Sequence, residues 1–413
     1  MSAPKGPPKD TAEVIAALLR TKASLDLPVR LRTWDGSEVG PADAPVLVAR
    51  SPRALQRILW RPGELGLARA YVSGDLDVEG DLTDALRRVR AARPRPLRAR
   101  TALAAIPAAA RLKLLALPPE PPRCELQVRG RRHSRARDQA VIAGHYDLPA
   151  AFYQLILDPS MAYSCARWDG TGPKTRDLAT AQRAKLDLIC RKLALEPGRE
   201  LLDLGCGWGS LTIHAARARV RVTGVTLSRE QGGYVRQRAR GLGLAPEIRI
   251  QDYRDPLEAS TKDGCFDAIA SVEMGEHVGA ARYPAFCAAL YGRLRPGGRL
   301  LIQQMSRGGR APGGGPFIES YIAPDMDMRP VGDTIKLIQG AGFEVIGVEA
   351  MREHYVRTIR AWLDNFERNL PAIAGILSAE QVRVWRLYLA GGALAFEQGR
   401  MGVDQILAVR PVR

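Results

Sequence analysis

Ten residues, Leu201-Leu202-Asp203-Leu204-Gly205-Cys206-Gly207-Trp208-Gly209-Ser210, limit what this chain can fold into more than any other stretch. The first four read as a short strand, and an amphipathic helix follows at once over about 210–218. Glycine has no Cβ, so the backbone between them can turn sharply and approach a ligand closely. A strand, a glycine turn and a helix in this order make a cofactor crevice at the carboxyl end of the first strand of an open α/β sheet. The glycines alternate at Gly205, Gly207 and Gly209, which departs from the G-x-G-x-x-G spacing of dinucleotide folds. Such a turn suits a small zwitterionic ligand without a pyrophosphate.

From about residue 138 onward, apolar runs alternate with helical stretches, which implies a doubly wound, Rossmann-like sheet. Strands are expected at 201–204, 220–225, 248–251, 266–272 and 299–304, and the runs 343–348 and 405–409 suit a late pair closing the sheet. Residues 11–92 carry their own apolar set and read as a smaller amino-terminal α+β domain. Helical patterns at 12–19 and 51–59 and strands at 29–34 and 46–48 are followed by a helix with Gly-Asp turns over 62–82. Residues 1–10 are polar and proline-rich, a disordered tail by composition.

Charge separates these parts. Of a net +17 over 413 residues, residues 87–137 hold fourteen arginines and one lysine against Glu120 and Glu125. An arginine-rich linker over 93–137 is expected, with a field that draws polyanions, either nucleic acid or an anionic lipid surface. Within it, 102–117 is apolar around Arg111 and Lys113, as in an amphipathic helix lying on a membrane or against the protein. No apolar run reaches the ~20 residues needed to span a bilayer. The first thirty residues lack a signal-peptide core, so a cytoplasmic location is expected. The six cysteines form no CxxC pair, and no metal site is expected.

Candidate site residues sit where predicted strands end. The second ends at Thr226, where an acidic residue commonly holds ribose hydroxyls, and Gln231 one turn on offers hydrogen bonds instead. The third ends at Asp252-Tyr253-Arg254, an acceptor for an amino group beside an aromatic face. The fourth ends at Glu273, Glu276 and His277, two carboxylates and an imidazole that are costly to bury without a task or partners. Ahead of the sheet, 145–168 reads as an amphipathic helix and a polar-aromatic turn, Tyr163-Ser164-Cys165, that could form a lid.

The alternating glycines, with Asp203 two residues before the first, resemble motif I of S-adenosylmethionine (SAM) methyltransferases, which makes 138–413 a SAM-dependent methyltransferase domain. "HYDLPAAFY", "DPSMAYSCARW", "LLDLGCGWGSL", "VTGVTLSREQ", "FDAIASVEMGEHVG", "RPGGRLLIQ" and "EHYVRTIRAW" together resemble the cyclopropane-fatty-acyl-phospholipid synthase family, in order from about 141 to 412. The resemblance implies methyl transfer from SAM to a cis double bond in an acyl chain of a membrane phospholipid. It implies a carbocation and a base that takes a proton from the added methyl. SAM would lie against Tyr163, Ser164, Gly205, Gly207, Thr226, Leu227, Gln231, Asp252, Tyr253 and Arg254, with Asp203 ordering the loop or reaching the methionine ammonium.

The family's base is a bound bicarbonate, whose ligands match as Cys165, Glu276 and Tyr355. Two positions depart. Gln303 stands where the family has histidine, and it cannot carry a proton; this puts bicarbonate binding in doubt. Glu273 replaces a small residue, and an extra carboxylate there could redirect proton loss. The segment "GLARAYVSGDLDVEGDL" and the arginine-rich, alanine-rich composition look closer to relatives that form 10-methylene and then, with a separate reductase, 10-methyl stearoyl lipids. That product is preferred here over a cyclopropane. The expected partners are an anionic phospholipid surface on the inner face of the cell membrane and such a reductase; nucleic acid is not expected, and a homodimer is left open. A nucleic-acid or small-metabolite methyltransferase and a non-catalytic lipid-binding relative are the rival classes. Against the first, the turn after strand four lacks the D/N-P-P-Y/F pattern of base methylation.

Overall fold

The computed structural model describes residues 10–23, 26–92, 116–138, 148–170, 177–256, 266–308 and 313–412, with Ala110, Leu112 and Leu114. The chain divides into two units, Met1–Glu125 with Ser378–Leu394, and Leu126–Leu377 with Ala395–Arg413. The first contains α1 (Thr11–Ala23), β1 (Arg30–Arg32), β2 (Glu38–Val39), β3 (Val46–Ala49), α2 (Pro52–Trp60), α3 (Glu64–Val72), β4 (Leu76–Glu79) and α4 (Leu82–Ala91). Its strands form one sheet in the order β2-β1-β3-β4. Ser51 caps α2 by accepting from the Arg53 amide, with Pro52 at the first helical position. Strand β4 falls where Gly-Asp turns were expected. Gly74 and Gly80, at φ +79° and +98°, turn the chain at either end. Four residues are left to pair with β3, too few for an alternating pattern to register.

Of the expected linker over 93–137, residues 116–137 with Ala110, Leu112 and Leu114 are described. Leu112 and Leu114 are buried with Ile15 and Leu31 in the first unit's core. Glu125 accepts two hydrogen bonds from Arg69, at 2.5 and 2.8 Å. The next residue, Leu126, donates its amide to the Ser320 carbonyl in the second unit. Apolar side chains and arginine–carboxylate pairs thus give the described part of this segment partners that composition alone did not show. Residues 378–394, read from the sequence as part of the large domain, fall in the first unit. There Arg383 bonds the Tyr71 and Leu76 carbonyls and lies 4.3 Å over the Tyr71 ring. The expected disordered tail and most of the amphipathic helix over 102–117 lie outside the described residues.

The second unit runs α5 (Ala150–Ile156), α6 (Leu178–Lys192), β5 (Glu200–Leu204), α7 (Ser210–Arg217), β6 (Arg221–Thr226), α8 (Arg229–Gly241), β7 (Glu247–Ile250), β8 (Phe266–Val272), α9 (Tyr283–Arg293), β9 (Leu294–Ser306), α10 (Pro316–Tyr321), α11 (Val331–Gly340), β10 (Glu344–Ala350), α12 (Arg352–Arg368) and α13 (Leu370–Ala374). The helix α14 (Ala379–Glu397) and β11 (Gly402–Val409) end the chain. The seven strands are ordered β10-β11-β9-β8-β5-β6-β7. Strands β7, β6, β5, β8 and β9 are parallel, and β11 pairs antiparallel with both β9 and β10. Leu201 packs with Leu186, Ile189 and Leu211, while Leu202 and Leu204 belong to a separate cluster with Phe286, Leu290 and Ile338. The sheet is therefore covered on both faces, the doubly wound arrangement. Strand β5 lies between β6 and β8, where strand order reverses, so its carboxyl end opens a crevice. Among the described residues no helix is long and apolar enough to cross a membrane.

Candidate functional site

The glycine loop forms one wall of a cavity of about 160 Å³ at this switch point. Gly205 and Gly209 have φ of +87° and +79°, which side chains rarely adopt. A Cβ on Gly205 would stand 2.9 Å from the Met274 Cβ, and one on Gly209 would stand 2.7 Å from Val235. Gly207, at φ +52°, has nothing within 4 Å of an added Cβ. The loop is thus packed at both ends and open in the middle. Asp203 is buried and accepts from the Thr212 hydroxyl at 2.7 Å, which ties β5 to α7; burial pushes its carboxyl up to about 6.

Tyr163, Ser164, Leu227 and Tyr253 also line the cavity. Thr226 donates its hydroxyl to Gln231 Oε1 at 2.9 Å, so these two lining residues bond each other across the turn after β6. Arg254 lines the cavity and Asp252 does not. The Asp252 carboxylate accepts from the Arg254 amide and side chain, and Arg254 also reaches Asp138 at 2.9 Å. The acceptor expected for an amino group is engaged by its own neighbour.

Residues far apart in the chain converge on Glu273. Its Oε1 accepts from the Cys165 amide at 2.7 Å and from Gln303 Nε2 at 2.9 Å, and its Oε2 accepts from the Tyr355 hydroxyl at 2.6 Å. Gln303 is itself oriented by Gln405, which donates to its Oε1 at 2.9 Å. Burial raises the Glu273 carboxyl, while the Tyr355, Cys165 and Gln303 donors and the Lys185 charge oppose the rise. Glu276 is fully buried with one donor, the Met305 amide at 2.5 Å, and its Oε2 is without a partner. Burial, and then Glu273, push its carboxyl up to about 8. Where neighbouring acids are driven apart in this way, the better-solvated one is the base and the other is neutral. His277 lines the cavity, and burial pushes its imidazole down to about 4, so it is neutral. The Cys165 thiol is raised well above its usual range, first by burial, and is no nucleophile.

Backbone strain marks the same place. Met161, Glu273 and Asp325 all line the cavity with positive φ, at +61°, +52° and +62°. For residues with side chains such conformations are costly and gather at functional sites. Two lining rings are backed by buried aromatics: Tyr163 lies 5.2 Å from Trp362, which lies 5.9 Å from Tyr355, and Trp208 lies 5.1 Å from Tyr153. Sequence reasoning missed Lys185, Asp138, Asp325, Met274 and Trp208 as lining residues. Trp208, inside the glycine loop, had a positional signal; Lys185, in the middle of a helix, had none.

A family model described as mycolic acid cyclopropane synthetase matches residues 133–406, more than half of the chain. The chain belongs to this family. It is 38% identical to a probable fatty acid methyltransferase of Pseudomonas putida, over 96% of each chain. It is 33% identical to the tuberculostearic acid methyltransferase UfaA1 of Mycobacterium tuberculosis, over 98% of this chain and 93% of the relative. The solved structure of the mycolic acid cyclopropane synthase CmaA1, complexed with SAH and CTAB, superposes with a TM-score of 0.59 at 29% identity, covering 66% of this chain and 98% of that one.

This member of the family is a SAM-dependent methyltransferase, and its own residues fit SAM. Gly207 leaves open space where any side chain would intrude, and Asp138, Asp203, Glu273 and Asp325 give the lining a negative balance suited to a cationic cofactor. SAM supplies an electrophilic methyl on a sulfonium centre. Bicarbonate does not fit the residues implied for it, because the Cys165 amide, Gln303 and Tyr355 already donate to the Glu273 carboxylate. In this chain those donors are engaged by the Glu273 side chain.

Proposed function

We propose that this enzyme adds the SAM methyl to the cis double bond of an unsaturated acyl chain, oleoyl in type, in phospholipids of the inner face of the cell membrane, and releases a methylene-branched chain. The fatty acid methyltransferase names of its relatives support the substrate class. The observation that carries the product is the Glu273 carboxylate in its three-donor cradle. An alkene is a weak nucleophile, so the site must hold it in line and exclude water. The resulting cation is stabilised by the Glu273 charge and by the ring of Tyr163, which lines the same cavity. Three hydrogen bonds fix the carboxylate and lower its basicity toward carbon. Proton removal is thereby delayed until a 1,2-hydride shift has made the cation tertiary. The added methyl then loses its proton to Glu273, and the C–H electron pair becomes an exocyclic double bond. A separate reductase would saturate it.

Incubation with SAM and oleoyl phosphatidylglycerol vesicles, followed by gas chromatography–mass spectrometry, tests this. The expected product is one carbon heavier and carries a terminal methylene. A cyclopropane product would overturn the product assignment, and mass gain on tRNA but not on lipid would overturn the substrate class. Gln303→His, which restores a proton-carrying side chain beside Glu273, should raise the cyclopropane fraction.

A further inference from the structure

Lys185 is the unexplained group of the cavity. It lies in the middle of α6, it is 1% exposed, and it lines the same space as Asp203 and Glu273. A bare ammonium is costly to bury. Its ammonium donates to the Ser164 hydroxyl, at 2.9 Å. One turn earlier, Gln182 donates to the carbonyls of Ser164 and Ala162, at 2.9 and 3.3 Å. Helix α6 therefore clamps the segment whose next amide, that of Cys165, holds Glu273 Oε1. A cavity built for a cationic cofactor has no general use for a second cation. It has a use for one that balances its own acids.

We propose that Lys185 is a positioning residue of the transfer reaction: bonded to Ser164, on the segment whose Cys165 amide holds Glu273, and lining the same cavity, it fixes the Glu273 carboxylate and faces it with a positive charge. The inference rests on the reading of Glu273 as the base. The groups facing Glu273 are the Cys165 amide and thiol, the Tyr355 hydroxyl of α12, the Gln303 amide of β9, Glu276 in the following turn, and Lys185 of α6. Asp158 and Asp203 share the ammonium's field. Burial lowers the Lys185 ammonium while these acids and Glu273 oppose the fall. The ammonium opposes the rise that burial imposes on Glu273. Without it the carboxylate would protonate at higher pH and could not accept the proton of the added methyl.

The test is kcat/KM against pH for the full chain with SAM and oleoyl phosphatidylglycerol vesicles, and SAM affinity by calorimetry. Lys185→Met should move the acid limb of the profile upward by about one pH unit. Its SAM affinity should stay within about threefold, and Lys185→Arg should return the limb toward wild type. An unmoved limb with SAM binding weakened tenfold or more would overturn the proposal and make Lys185 a ligand of the cofactor's carboxylate. If Lys185→Met does not fold, Ser164→Ala keeps the charge and removes its tether. An upward limb shift there supports the proposal and an unmoved limb overturns it. Glu273→Gln separates the two readings. An acid limb that persists in that variant overturns the base itself. A limb that vanishes there but stays in place in Lys185→Met overturns only the role of Lys185.

Discussion

Glu273 and Glu276 are chemically identical groups three residues apart, and their partners treat them differently. Burial raises both carboxyls, but at Glu273 three donors and the Lys185 charge oppose the rise, whereas at Glu276 the neighbouring Glu273 adds to it and the carboxyl is pushed up to about 8. Removing the Glu273 charge with Glu273→Gln keeps the volume and should lower kcat by at least about a hundredfold, the range for loss of a positioned base. Glu276 gives a stability prediction instead. Burial pushes its carboxyl up to about 8 in the fold, from an ordinary value of about 4.5. A folded value above the unfolded one means that its contribution is complete below pH 4.5 and is lost as pH rises through 8. Each unit is worth about 1.4 kcal/mol, so the loss between pH 5 and 8 is on the order of 3 kcal/mol. Urea unfolding at a series of pH values should show wild type losing stability over this window relative to Glu276→Gln. Parallel curves for the two proteins would refute the assignment.

At the scale of the element, strand β5, its loop and α7 set the site, and the three glycines divide the work. Gly209→Ala would force a left-handed backbone and a contact 2.7 Å from Val235, and should cost about 2 kcal/mol or more of stability. Gly207→Ala meets no neighbour, so its added methyl projects into the cavity. It should weaken SAM binding by about tenfold with the smaller stability loss of the two, a split that calorimetry and thermal unfolding separate. These elements were legible in the sequence because strand period, glycine spacing and helix period are local signals. The sheet of the second unit followed from the same signals. Strand β4 did not, since four residues between glycines carry too little pattern. The cluster around Glu273 is a different case. Gln303 and Tyr355 were named only through family resemblance, and Cys165 was otherwise read only as part of a lid turn, because chain folding, not spacing, brings positions 165, 273, 303 and 355 together. That they donate to Glu273, rather than awaiting an external anion, required coordinates. Lys185 was invisible, since a lysine in a helix reads as solvated until the helix is seen from its buried side.

At the scale of the whole molecule, net charge bears on the lipid surface proposed for the enzyme. Part of the basic stretch over 87–137 is internally neutralised. Arg87 and Arg88 pair with Asp84, Arg132 and Arg137 with Asp325, and Arg135 with Asp255. Between Arg87 and Glu120, however, the sequence has no acidic residue, and Arg93, Arg95, Arg98 and Arg100 stand within eight positions. Such a run is drawn to anionic lipid with about 1 kcal/mol per basic residue near the surface, an attraction that salt screens as the Debye length falls from ~10 Å at 0.1 M to ~3 Å at 1 M. Sedimentation with phosphatidylglycerol vesicles should therefore show binding that falls steeply with added salt and is weak on phosphatidylcholine at any ionic strength. Reversing the four arginines to glutamate should reduce binding to the anionic vesicles by more than tenfold and slow turnover on them. SAM affinity should be unchanged, because the residues lining the cofactor cavity all belong to the second unit. Equal binding to neutral and anionic vesicles would show instead that apolar contact carries the attachment. Loss of SAM affinity in the reversed variant would show that the run serves the fold of the catalytic unit rather than the lipid.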